Sequence, residues 1–289
     1  MRALAEIIMR GRAQACAVAL FGWLLPLVSP ATIGLVSLRK DSTEGLIVTL
    51  WAILPWLALY YAGDVSPLII LLPLAVLVVI AAVANVLRST ASWQWTLVIA
   101  GIVSAVAALA AGFIASAEVD LMVVAIAKFF AEIGAQEAIS DDFDFAPDRT
   151  FVLGLFAWLI GFTAVCGLFV SRWWQSLLFN PGGFQKEFHE FRLDQSVALI
   201  LIAFVIAGVS LPLAYRPWVE LVSLPLLIAG MALVHSSVKM MSMGVHWLGL
   251  MYFGLLFIGP TGTVLIGLGL VDSILNLRSR LAAFKNRNS

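Results

Sequence analysis

The chain is predicted to be all-α, a polytopic bundle of transmembrane helices, and three observations predict it. Of its 289 residues, 62% are hydrophobic and only 12% charged, where a soluble globular domain carries about 45–50% apolar and about 25% charged residues. A water-soluble fold so composed lacks the polar side chains to cover its surface. The apolar residues also come in unbroken runs, such as LIILLPLAVLVVIAAVANVL over 68–87, and do not alternate as barrel strands do. Lipid offers the backbone no hydrogen bonds, so continuous apolar runs in it are helices. Finally, the charges balance, 17 basic against 17 acidic. Net charge therefore points to no partner, and only the placement of the charges is informative.

A span takes about 20 mostly apolar residues. Arg2, Arg10 and Arg12 precede an apolar run that ends among Pro26, Ser29 and Pro30 without an A-x-A cleavage site. It reads as a first membrane helix, 13–29, rather than a signal peptide. Residues 31–38 are apolar but too short to cross alone; they are expected to form a half-helix packed against protein, or the return limb of a proline-broken hairpin. Further spans are expected at 44–62, 66–87, 94–116, 151–170, 195–213, 218–237, 241–258 and 261–277, about 8–10 membrane segments in one domain. Gly259-Pro260-Thr261-Gly262 separates the last two. Cys16 and Cys166 fall inside apolar runs and read as free thiols.

If 31–38 returns the chain to its starting side, 14 of the 17 basic residues share one face, and only Lys128, Arg149 and Arg216 lie on the other. The positive-inside rule then puts both termini in the cytoplasm, and the expected location is a bacterial inner membrane. The outer loop, 117–149, holds Glu118, Asp120, Glu132, Glu137, Asp141, Asp142, Asp144 and Asp148. Its first part has helical apolar spacing and is expected to form an amphipathic helix at the membrane boundary. The DDFDF run after it lacks the Gly and terminal Glu of an EF-hand loop. The inner loop, 171–194, is aromatic: Trp173, Trp174 and Phe179 come before the turn Asn180-Pro181-Gly182-Gly183, in a stretch that suits a short interfacial helix, and Phe184, Phe188 and Phe191 line one helical face after it. That face calls for lipid or a protein partner.

Polar residues inside spans are the candidates for function. Asn85 lies near the inner end of its span, and Asp272 and Asn276 stand four apart in the last one, a spacing suited to helix–helix hydrogen bonding. His235, Lys239, Ser242 and His246 form one polar stripe if the helix is unbroken. The two histidines would then stand about 16 Å apart, too far to share a metal. Tyr60, Tyr61 and Asp64 mark an outer boundary. Arg39, Lys40, Asp41 and Glu44 suit local pairing or anionic headgroups. The candidate ligand-contacting residues are Tyr61, Asp64, His235, Lys239 and His246. No GxSxG, HExxH or P-loop occurs, no cofactor is implied, and no basic stripe suits nucleic acid.

Three stretches, LPLVSPATIGLVSLRKDSTEGL, NPGGFQKEFHEFRL and HWLGLMYFGLLF followed by GLGLVDSILNLRSR, resemble the YybS-like family of bacterial membrane proteins. That family is distantly similar to the S-components of energy-coupling-factor transporters. The resemblance covers most of the chain and matches the acidic loop least well. It implies a helical core that binds a small molecule from outside and works with a partner that carries ATPases. Fold-level likeness does not carry function, so three readings stand. A transporter-like subunit predicts an outward cavity lined by Tyr61, Asp64 and the acidic loop. A scaffold or assembly factor predicts a partner at 171–194 and no central cavity. A lipid-processing enzyme predicts a polar pocket at one headgroup plane, near His189 or His235.

Overall fold

Lipid requires each backbone N–H and C=O to find a partner within the chain, and every regular element among the described residues is helical. The computed structural model describes residues 1–63, 65–137 and 146–288, without the side chains of 133–137, 282, 284 and 286–288. Asp64 and the DDFDF run lie outside the described residues. Helices α1 (Arg2–Arg10), α2 (Arg12–Phe21) and α3 (Val28–Arg39) open the chain, followed by α4 (Ser42–Ala62), α5 (Pro67–Thr90), α6 (Trp93–Ile114) and α7 (Ser116–Glu137). Then come α8 (Arg149–Phe179), α9 (Gly183–Glu190), α10 (Gln195–Val209), α11 (Arg216–Met240), α12 (His246–Phe257), α13 (Pro260–Leu275) and α14 (Leu277–Asn288).

Five of these segments, α4, α5, α6, α8 and Leu213–Met240, are long and apolar enough to cross a membrane. The pair α9 and α10, bent by 69°, makes a sixth if it is one broken span. Helices α12 and α13 are apolar but shorter. The expected 8–10 segments thus resolve into five or six full-length helices with half-length pieces between them. Large apolar side chains such as Phe113, Ile114, Phe204, Ile206, Leu256 and Phe257 are exposed, far more than a soluble surface carries in patches.

The first expected span, 13–29, is not one helix. It stops at Phe21, makes a single 3-10 turn at Gly22–Leu24, passes Leu27 at φ 64° and restarts at Val28. Pro26 cannot donate to a helix, whereas Pro30 falls in the first turn of α3, where no backbone donor is needed. The expected loop at 171–194 also begins late, because nothing breaks α8 before Asn180-Pro181-Gly182 and the helix runs on to Phe179.

The chain divides into two compact units, Met1–Phe179 with Gly208–Leu221, and Asn180–Ala207 with Val222–Ser289. In the first, α3 is the centre: Ser29 and every residue of 31–38 are buried, among α2, α4, α5 and α8. Small residues let the backbones approach. A Cβ on Gly34 would run into the Ser171 hydroxyl, and one on Gly45 into that of Ser37. The Ser171 hydroxyl lies 2.7 Å from the Gly167 carbonyl and 3.0 Å from that of Ala31. Arg12 pairs with Glu44 across α2 and α4, its Nε 3.0 Å from Oε2, and Asp41 caps α4 by accepting from the Glu44 N–H at 2.7 Å.

In the second unit, α11 and α13 touch backbone to backbone. A Cβ on Gly230 would meet the Leu265 carbonyl, and one on Gly269 would lie 2.8 Å from the Gly230 nitrogen. The basic helix α14 serves the carbonyl ends of two others. Arg278 donates to the carbonyls of His189 and Phe191, both at 2.6 Å, and Lys285 donates to Met240 at 2.7 Å. Cations at helix C-termini satisfy orphan carbonyls and complement the helix dipole.

Candidate functional site

In the first unit the break between α2 and α3 leaves space. The turn cannot fill the volume that a continuous helix would occupy, and a cavity of about 300 Å³ lies beneath it. Its roof is the hairpin tip, Gly22 to Pro30; its walls are Trp56 of α4, Leu72, Pro73, Val76 and Leu77 of α5, and Leu159, Ile160 and Thr163 of α8. The indoles of Trp23 and Trp56 meet edge to face, with centroids 5.7 Å apart. Gly22 lets the two limbs close, since a Cβ there would lie 2.8 Å from the Ser29 hydroxyl. That hydroxyl donates to the Ala19 carbonyl at 2.8 Å and ties α3 to the end of α2. Pro73, inside α5, leaves the Ile69 carbonyl without its helical donor. Among the described residues, neither the Trp23 nor the Trp56 indole N–H meets an acceptor in the protein. The cavity is thus greasy, with two free donors at one edge, the composition expected of small-molecule sites.

None of the described candidate residues read from the sequence lines this cavity. Tyr61 is 84% exposed, its ring against Tyr60. The stripe from His235 to His246 is broken: α11 ends at Met240, Ser242 adopts φ 55°, and α12 starts at His246. His235 and Lys239 stay on α11, while His246 is exposed beside Trp247. Asn85 donates to the Ala81 carbonyl at 2.8 Å and borders an open cleft with Asp41, Ser42 and Arg88.

Asp272 and Asn276 do not act as a pair either. Asn276, at φ 49°, ends α13 by donating its own N–H to the Asp272 carbonyl at 2.9 Å. The Asp272 side chain instead faces Arg278, whose Nε is 3.1 Å from Oδ2. This is a contact of charges rather than an aligned hydrogen bond, in a site where Asp272 is 1% exposed.

The aromatic loop is also redistributed. Trp174 is 1% exposed and belongs to the core, Phe191 is buried, and Trp173 lies exposed on α8. Phe184 and Phe188 pack together on α9, and Phe188 meets the His235 ring edge-on at 5.3 Å. The structure brings His189 within 6.2 Å of His235, ring to ring, and places the Tyr252 hydroxyl 2.9 Å from His235 Nε2. On α9, outside the long spans, burial and then the charges of Lys239 and Arg278 hold the His189 pKa below its ordinary value. Sequence reasoning missed Tyr252, whose neighbours are all apolar, and the hairpin-tip tryptophans. The signals for the latter were Pro26 and Pro30 beside Trp23.

No family model, curated protein or solved structure matches the chain.

Proposed function

We propose that the chain is a multi-pass protein of a bacterial inner membrane that binds an apolar small molecule beneath the α2–α3 hairpin, as a transporter-like subunit. The cavity carries this reading. Its volume of about 300 Å³ falls at the lower end of small-molecule sites, and its lining is of the right kind. The charge bias assigns Arg2, Arg10, Arg12, Arg39 and Lys40, at the open end of the hairpin, to the cytoplasmic face. Helix α3 then rises about 18 Å from that face, which puts the tip near the middle of a hydrocarbon core about 30 Å thick. Discontinuous helices hold the substrates of many transporters at that depth. The chain has no P-loop, so energy for transport would come from an ATPase-bearing partner, as in the S-component systems to which the YybS-like family is distantly similar.

The test is native mass spectrometry of the chain released from nanodiscs, beside a Leu72→Trp variant that fills the cavity from α5. A non-lipid molecule retained by the unmodified chain and lost from the variant is the expected result. Identical spectra containing lipid alone would overturn the proposal.

A further inference from the structure

The second unit carries a separate cluster of donors. His189 comes from α9, His235 and Lys239 from α11 and Tyr252 from α12. Lys239 stands one helical turn beyond His235, on the same face. The imidazoles lie 6.2 Å apart, and the tyrosine hydroxyl is 2.9 Å from His235 Nε2. Arg278 is matched by Asp272 and two carbonyls, and the charges acting on His189 are Lys239 and Arg278. Among the described residues, His189, His235 and Lys239 have no carboxylate partner. No three metal-ligating side chains converge among the described residues, so the histidine pair lacks the third ligand a metal would take.

We infer that His189, His235, Lys239 and Tyr252 form a binding site for a phosphate group. With its proton on Nε2, the His235 ring donates to the Tyr252 oxygen and leaves the tyrosine O–H free to donate outward. The Lys239 ammonium, one turn along the same face, and the His189 ring add further donors that one ligand could take. A phosphate offers at least three strong acceptor oxygens and the missing negative charge, and charge-assisted bonds of this kind are the strong ones. A carboxylate supplies two oxygens and would leave donors unused. The same chemistry is presented by a phospholipid headgroup and by a soluble phosphate compound. The site is distinct from the apolar cavity, and its test does not depend on that reading.

The experiment uses the full chain in phosphatidylcholine nanodiscs. Radiolabelled inorganic phosphate is followed by equilibrium dialysis, and retention of phosphatidic acid, doped at one lipid in ten, by native mass spectrometry. Retention of either probe, lowered roughly tenfold or more by Lys239→Gln and by His235→Gln, is expected, which is the scale of losing one charged donor. Tyr252→Phe, which keeps the ring, weakens binding severalfold and controls for misfolding. Phosphate uptake assigns the site to a soluble ligand; retention of phosphatidic acid alone assigns it to a headgroup. Retention of neither probe overturns the inference. So does an equal loss in Arg216→Gln, a charge of the other unit.

Discussion

Asp272 is buried, and the charge facing it is Arg278. Removing Arg278 leaves a bare carboxylate in a dry site, which costs about 3–5 kcal/mol. Removing the carboxylate is milder, because Arg278 keeps the carbonyls of His189 and Phe191. Equilibrium unfolding in mixed micelles is therefore expected to rank Arg278→Gln as more destabilising than Asp272→Asn, with the double variant less damaged than Arg278→Gln alone. Gly34 poses a packing question of the same kind. Overpacking against Ser171 makes Gly34→Ala cost about 1–3 kcal/mol, and the penalty is expected to shrink in a Ser171→Gly background, since touching residues do not add independently. Asp272 was legible in the sequence as a polar residue in a span. Its partner was not, because the i, i+4 spacing to Asn276 assumes a helix that Asn276 itself ends, and the left-handed turn there brings Arg278 round instead.

At the scale of the element, the ends of helices decide most of the differences. Ala91 closes α5 at φ 49° and Asn276 closes α13 at φ 49°. A left-handed conformation costs an ordinary residue about 1–2 kcal/mol, and glycine and asparagine much less. Ala91→Gly is thus expected to stabilise the chain by about 1 kcal/mol, seen as a higher thermal midpoint in detergent, while Asn276→Gly changes little. Proline breaks were readable in advance: Pro26 and Pro30 announced the hairpin, and Gly259-Pro260 the turn between α12 and α13. The junction between the spans expected at 218–237 and 241–258 was readable too, but it falls a few residues later, between Met240 and His246, since MSMGV contains one glycine and no proline to fix its place. The span expected at 151–170 runs on to Phe179, because SRWWQSLLF holds no glycine or proline and a single arginine does not stop a helix.

For the whole molecule, composition alone predicted the membrane, and the exposed apolar side chains agree with it. The sidedness argued from charge makes a direct prediction. In a background with Cys16→Ala and Cys166→Ala, Ala131→Cys on α7 should react with an impermeant maleimide added to spheroplasts. Gln185→Cys on α9 should react only after lysis; the opposite pattern would invert the topology. The cavity was beyond reach of the sequence. Its walls are drawn from residues between Gly22 and Thr163, apolar like their neighbours, and only the packing of three helices around a broken one marks them. The cavity expected at Tyr61, Asp64 and the acidic loop rested on polarity, the signal that this site lacks.

The burial of α3 has a consequence for biogenesis. The contact between Ser171 and Ala31 joins residues 140 apart in the chain. At about 5–20 residues per second a ribosome needs on the order of 10 s to make that stretch. Throughout that delay the hairpin is too short to span and lacks the helix that later covers it. Nascent chains arrested before α8 should therefore be cut by protease within 22–38, and chains arrested after it should resist.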